Sequence, residues 1–172
     1  SSLLFCQKHL TTEGGRYVSD GVLPKYCLDN GGRNARGLAY RMGANLYAAY
    51  RLPDNCFDDA KVTVDLVFFQ KITNQAMRGS SAWCNAPYCQ IGKNRHRLNQ
   101  HFIQHPEHVL GTLTEYPLTR YNRMDLTCKL NGNLINQMAQ ALKALPALSK
   151  TKQPHGEIKQ TIQQVLVEAE AL

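Results

Sequence analysis

The sequence predicts an α/β domain, in which α-helices pack on β-strands. Apolar and polar residues alternate from Val62 to Phe68, and Val67 and Phe69 then make the second face apolar as well. Such a pattern is typical of a central strand, buried on both faces. Residues 46–52 form a second apolar run that ends at a proline, which predicts a neighbouring strand. With 172 residues, 43% of them hydrophobic, the chain is long enough to bury a substantial core.

Helical and strand patterns alternate before this strand pair. The predicted elements are a helix at 2–10, a strand at 16–24, a turn-rich loop at 27–34 and a helix at 35–44. Glycines that follow the first helix favour its end there. Arg33 and Arg36 lie off the apolar face of the second helix, where they contact either DNA phosphate or solvent.

The region after the strand pair begins with residues 72–97, which lack a regular pattern and predict a long loop anchored by burial of Trp83. The elements predicted to follow are a short helix at 98–103, a hairpin at 114–130 with its turn at 121–123, and a helix at 134–145 capped by Asn131 or Asn133. A domain at 1–146 is therefore expected, followed by a polar linker at 147–156 and an amphipathic helix at 157–172.

The charge of the chain favours an anionic partner. Twenty lysines and arginines against 13 acidic residues give a net charge of +7, which suits nucleic acid, although an ordinary soluble surface with a basic excess accounts for it equally well. No apolar run is long enough to span a bilayer, and the first residues lack a signal-peptide layout. We therefore expect a cytoplasmic protein with no membrane partner, whose six cysteines are free thiols.

A zinc site is one reading of the cysteines and histidines in the second half of the chain. Cys84 and Cys89, followed by His96 and His101, offer thiolate and imidazole ligands of the kind that tetrahedral zinc takes. The spacing of the two cysteines is looser than in a zinc knuckle. His101 and His105 are also four residues apart, so the simpler reading places them on the polar side of a short helix.

Several motifs resemble the C-terminal half of the catalytic domain of adenine-N6 DNA methyltransferases, in particular the methylase–helicase fusion proteins of phages and plasmids. The matching positions around the strand pair are Arg51-Leu52-Pro53, Phe57, Val62, Asp65 to Phe69, and Lys71. Shorter matches occur at residues 99–111, 126–129 and 140–146. The resemblance implies part of a Rossmann-like methyltransferase sheet with an antiparallel terminal strand, followed by a hairpin and C-terminal helices.

The resemblance also implies a role in contacting DNA. The loop between the two strands matches the family element whose aromatic residue stacks on the flipped-out adenine, and Phe57 is the matching residue. Phe57 is equally interpretable as a residue at the edge of the core. The expected DNA-binding residues are Phe57, Arg51, Lys61, Arg33, Arg36, Arg120 and Arg123, the last two flanking Tyr121 at the hairpin turn.

The catalytic and methyl-donor motifs of that family are absent from the sequence. The most similar segment, Asn85-Ala86-Pro87-Tyr88, resembles the catalytic loop of the family. It lies after the predicted strand pair, however, whereas the family's loop lies before the corresponding strands. We therefore expect no catalytic residue, no metal and no cofactor in this chain alone, and S-adenosylmethionine only if a missing half completes the site. The predicted function is that of a DNA-modification or anti-restriction piece, inactive without a complementary methyltransferase half or helicase domain. The alternative is a non-enzymatic module that binds nucleic acid or protein.

Overall fold

A computed structural model describes residues 17–30, 32–56, 62–72 and 74–144 of the chain. The strands in this part are β1 (Tyr17–Pro24), β2 (Ala44–Arg51), β3 (Val64–Lys71), β4 (Tyr88–Ile91), β5 (Asn94–Arg97), β6 (Thr112–Leu118) and β7 (Arg123–Lys129). The α-helices are α1 (Tyr26–Asp29), α2 (Arg33–Arg41), α3 (Gln100–Gln104) and α4 (Leu134–Lys143). The prediction of a domain that mixes helices and strands is confirmed.

The main sheet has three strands in the order β1-β3-β2. Strand β3 lies in the centre and pairs antiparallel with both neighbours, so β1 and β2 run in the same direction, connected through α2. Leu66 and Phe68 point to one side of β3, while Val67 and Phe69 point to the other, and all four are buried. This confirms the prediction of a strand pair in which the second strand is central.

The two faces of β3 belong to two different apolar clusters. Helix α4 covers one face, with Met138 fully buried against Tyr50 and Phe68. On the other face, the ring of Trp83 packs against that of Phe69, with their centres 5.2 Å apart. The sequence prediction that Trp83 anchors its segment by burial is confirmed.

Helix α4 begins after Asn133, whose side chain accepts a hydrogen bond from the backbone N–H of Asn136 at 2.9 Å. Of the two asparagines expected as caps, Asn133 is therefore the one used. Asn131 instead bonds Thr112 and Gln137 through its side chain. The linker at 147–156, the helix at 157–172 and the helix at 2–10 lie outside the described residues.

Two separate hairpins complete the described part. The β6–β7 hairpin turns through residues 119–122, where Asn122 takes a left-handed conformation at φ 47°, and its prediction is confirmed. Residues 72–97 were expected to form an irregular loop, and this was wrong in part. They contain two 3₁₀ turns, Gln75–Met77 and Ala82–Cys84, and the β4–β5 hairpin. No helix within the described ranges is long and apolar enough to cross a membrane.

Candidate nucleic-acid interface

The β4–β5 hairpin presents a basic and aromatic outer surface. Its inward side chains, such as that of His96, alternate with the exposed side chains of Tyr88, Arg95 and Arg97, as expected for paired strands. The guanidinium carbons of Arg97 and Arg95 lie 4.4 and 5.8 Å from the centre of the Tyr88 ring. We call these three residues the Tyr88 face.

A shallow cleft of about 530 Å³ adjoins this face. Arg97 belongs to both the face and the cleft, because its guanidinium also donates to the carbonyl of Ala86 at 3.1 Å. The cleft combines three arginines with exposed asparagine and proline side chains, and its lining residues are Asn30, Arg33, Arg36, Asn85, Ala86, Pro87 and Arg97. The lining contains no carboxylate, so the cleft favours an anion.

Arg36 forms the inner wall of the cleft and is only 1% exposed. Its guanidinium donates to the carbonyls of Cys84, Cys27 and Asn30 at 2.9 to 3.0 Å. Burial lowers the pKa of Arg36 from its ordinary value. The prediction that Arg36 is a surface contact for DNA is therefore corrected, because this side chain fastens α2 to α1, to Asn30 and to the 3₁₀ turn Ala82–Cys84. Arg33, one turn earlier in α2, is exposed as predicted.

The segment Asn85 to Tyr88 resembles a methyltransferase catalytic loop, but in the structure its backbone carbonyls accept hydrogen bonds from other backbone groups. The carbonyl of Asn85 accepts from the N–H of Gln100 at 2.9 Å, and that of Pro87 accepts from the N–H of Leu98 at 3.1 Å. In the family that it resembles, a carbonyl of this loop holds the adenine amino group. Here these two carbonyls fix the start of the β4–β5 hairpin, while the side chains of Asn85 and Pro87 face the cleft.

Glu115 on β6 fastens the two hairpins together. Its carboxylate accepts from the N–H of Lys93 at 3.0 Å and the side-chain amide of Asn94 at 2.8 Å, and its Oε1 lies 2.7 Å from Nε2 of His96. The hydrogen bond with His96, followed by those from Lys93 and Asn94, lowers the pKa of Glu115 to about 2. Because Lys93 lies in the turn of the β4–β5 hairpin and Asn94 begins β5, this carboxylate positions the Tyr88 face.

A second arginine–tyrosine cluster lies at the tip of the β6–β7 hairpin. The guanidinium carbons of Arg120 and Arg123 lie 5.8 and 5.5 Å from the centre of the Tyr121 ring, which is 62% exposed. The structure thus brings together the three residues that the sequence predicts as a basic and aromatic tip. Their contact with DNA stays a prediction.

Arg51 was expected to contact DNA, and its burial corrects this prediction. Its side chain is 0% exposed and binds Asp65 through two hydrogen bonds of 2.8 and 2.9 Å, while a third, of 2.7 Å, reaches Asp29. These carboxylates raise the pKa of Arg51 against the opposing effect of burial. Burial raises the pKa of Asp65. Arg51 and Asp65 both belong to the motifs that carry the family resemblance, and here they form a buried structural pair.

Phe57 and Lys61, the other two residues expected in the base-contacting loop, lie outside the described residues. The proposed zinc ligands Cys84, Cys89, His96 and His101 are described, and they do not form a group with ligand atoms in reach of one metal ion. His96 instead forms a hydrogen bond with Glu115, and Nε2 of His101 lies 2.9 Å from Nδ1 of His108. The group that the described residues do bring together is His105, Glu107 and His108.

Comparisons of the chain with protein-family models, with curated proteins and with solved structures give no significant match. The resemblance to adenine-N6 DNA methyltransferases therefore stays a prediction that rests on the quoted motifs.

Sequence reasoning missed Arg95 and Arg97, which lie in the segment interpreted as a loop. The signal that identifies them is local: two four-residue segments with outward polar positions flank Gly92-Lys93, and such a glycine-containing pair favours a tight hairpin turn.

Proposed function

We propose that this chain binds DNA through the Tyr88 face and the adjoining cleft. The observation that carries the proposal is one exposed tyrosine ring with two arginine guanidinium groups within 6 Å of its centre, beside a cleft whose lining is basic and carries no carboxylate. The arginines match the phosphate groups, and the tyrosine offers a flat surface for an unstacked base.

The charges and the ring contribute in different ways. Each phosphate that an arginine neutralises releases counterions, so binding weakens as salt rises. Stacking of one base on an aromatic side chain contributes about 1–3 kcal/mol and tolerates any base. The proposed binding is therefore largely independent of sequence and favours DNA with an unpaired or extruded nucleotide.

We further propose that the chain is the DNA-contacting half of a methyltransferase sheet similar to that of adenine-N6 DNA methyltransferases. The main sheet supports this because it contains one strand, β3, that runs antiparallel to two neighbours of common direction, and the resemblance implies a sheet of parallel strands that ends in an antiparallel strand. The Arg51–Asp65 pair also supports it, since two quoted motifs meet there. On this proposal, S-adenosylmethionine binds only after a complementary half joins the chain.

A non-enzymatic DNA-binding module is the second candidate. The backbone of the segment from Asn85 to Pro87 favours it, because the carbonyls there already accept hydrogen bonds from within the fold. A module of this kind needs the Tyr88 face and no methyl donor.

Two measurements test these proposals separately. Fluorescence anisotropy with labelled single-stranded and duplex oligonucleotides tests DNA binding, and we expect weak binding that disappears as salt rises. Absence of binding at low salt contradicts the proposal. Labelled S-adenosylmethionine is then offered to the chain alone and to the chain mixed with the N-terminal half of an adenine-N6 methyltransferase. If the chain alone binds S-adenosylmethionine or transfers methyl groups, the proposal that it is only half of a methyltransferase is refuted. If no mixture binds S-adenosylmethionine or transfers methyl groups, the non-enzymatic module is favoured.

A further inference from the structure

Three histidines and a glutamate meet where α3 ends. His101 lies in α3, and His105, Glu107 and His108 follow at the 3₁₀ turn Pro106–His108. Residues three apart lie above one another in a 3₁₀ turn, and the rings of His105 and His108 accordingly stack with centres 5.0 Å apart. Pro106 at the first position fixes the backbone of this turn.

The distances between the ligating atoms fit a single metal ion. Oε1 of Glu107 lies 3.4 Å from Nδ1 of His105 and 3.7 Å from Nε2 of His108. One ligating atom from each of the three residues lies within 4.8 Å of the others. Tetrahedral zinc with bonds of about 2.0–2.1 Å separates its ligand atoms by roughly 3.3–3.4 Å. The observed spacing therefore needs only small side-chain rotations to reach that geometry.

His101 supports the ring of His108 from the protein side. Nε2 of His101 lies 2.9 Å from Nδ1 of His108. This contact engages Nδ1 of His108 and leaves Nε2, the nitrogen that lies 3.7 Å from Oε1 of Glu107, free to bind a metal.

We propose that His105, Glu107 and His108 form a binding site for a divalent transition metal, with His101 as a positioning residue for His108. Two imidazoles and one carboxylate suit zinc, cobalt or nickel better than magnesium or calcium, which prefer all-oxygen sites. Three protein ligands leave a fourth position to water or a substrate atom. Glu107 is 63% exposed and His105 is 46% exposed, so a metal ion reaches the site from solvent.

Calorimetric titration of zinc chloride into the full chain, after treatment with EDTA, tests the proposal. The expected result is binding of one zinc ion per chain. His105→Ala and Glu107→Gln each weaken this binding at least tenfold, and both variants should fold because these side chains are largely exposed. Cobalt in place of zinc should give the visible absorption of a tetrahedral complex, which a loose surface contact does not produce.

A matched control uses the histidines outside the described residues. The chain has six histidines, and the double variant His9→Ala/His155→Ala removes two of them while His101, His105, Glu107 and His108 keep their identities. Zinc binding should be unchanged in this variant. Zinc binding that is lost in the control and retained in His105→Ala overturns the proposal, as does the absence of stoichiometric zinc binding by the unaltered chain. A circular dichroism spectrum of each variant shows whether the fold is intact.

Discussion

Arg51 joins three segments that are far apart in the chain. Its guanidinium binds Asp65 on the neighbouring strand and Asp29 at the end of α1, and the other oxygen of Asp29 accepts the backbone N–H of Asn99 at 2.9 Å. The ring of Phe102 closes the site, 4.5 Å from the guanidinium carbon. A single buried cation thus positions the strands, the helix and the segment that follows the β4–β5 hairpin.

Replacing Arg51 should be severely destabilising. In Arg51→Leu, two buried carboxylates lose their partner, so we expect the free energy of unfolding to fall by about 3–5 kcal/mol. Urea denaturation measures this change. Arg41→Leu removes an exposed arginine from α2 and should change the free energy by less than about 0.5 kcal/mol. Equal effects of the two substitutions would contradict a structural role for the buried network.

Glu115 should make stability depend on acid pH. Its carboxyl pKa is lowered from the ordinary 4.5 to about 2 in the folded chain, so it stabilises the fold fully above pH 4.5. This stabilisation should disappear as the pH falls from about 4.5 to about 2. Urea denaturation over that pH range should show that the free energy of unfolding falls less in Glu115→Gln than in the unaltered chain. Thr114→Val, on the same strand, should retain the original pH dependence, and a Glu115→Gln profile of unchanged slope would refute this account.

At the scale of elements, the main strands were predictable because burial leaves a clear pattern. β3 is apolar on both faces, and the main core indeed lies on both sides of it. The β4–β5 hairpin was missed because each of its strands has only four residues and its outward positions are polar. A pattern that short is not distinguishable from a loop by periodicity alone.

Two glycines in different elements should respond oppositely to alanine. Gly92 has φ +65° at the hairpin turn, and an added Cβ would lie 2.5 Å from Oε2 of Glu115, so Gly92→Ala should destabilise the fold by about 1–2 kcal/mol or more. Gly37 lies inside α2, where an added Cβ meets only the flexible side chain of Arg41 at 3.5 Å. Gly37→Ala should stabilise by about 0.5–1 kcal/mol. Thermal melting of both variants checks the signs, and stabilisation by Gly92→Ala would contradict the described turn.

The Tyr88 ring should contribute to DNA affinity and little to folding. Tyr88→Ala removes an exposed ring, so we expect an unchanged melting temperature and a loss of about 1–3 kcal/mol in binding to single-stranded DNA. Tyr26 is equally exposed, at 54%, and lies in α1, so Tyr26→Ala serves as the matched control. Anisotropy titrations of both variants give the comparison. An equal loss of DNA affinity in the two variants would show that Tyr88 is not part of the interface.

At the scale of the whole molecule, the sequence did not locate all of the arginines that are exposed to an anionic partner. The net charge of +7 favours an anion, but two of the arginines expected at the DNA surface are buried, because each is bonded to groups from distant segments. Hydrogen bonds between a side chain and distant segments produce no periodic pattern in a sequence, so the burial of these arginines was not predictable. Arg33, Arg120 and Arg123 are exposed as expected, since they lie at a helix start and at a hairpin tip.

The salt dependence of DNA affinity tests the central claim most directly. Anisotropy titrations with duplex DNA at several salt concentrations compare the unaltered chain with Arg95→Gln/Arg97→Gln. Arg41→Gln/Lys143→Gln lowers the net charge equally at exposed residues outside the Tyr88 face and the cleft lining. If Arg95 and Arg97 contact phosphates, their double variant should reduce the slope of log affinity against log salt by about 1.8, while the control leaves it nearly unchanged. Identical slopes for the two double variants would show that charge alone, and not the Tyr88 face, accounts for binding.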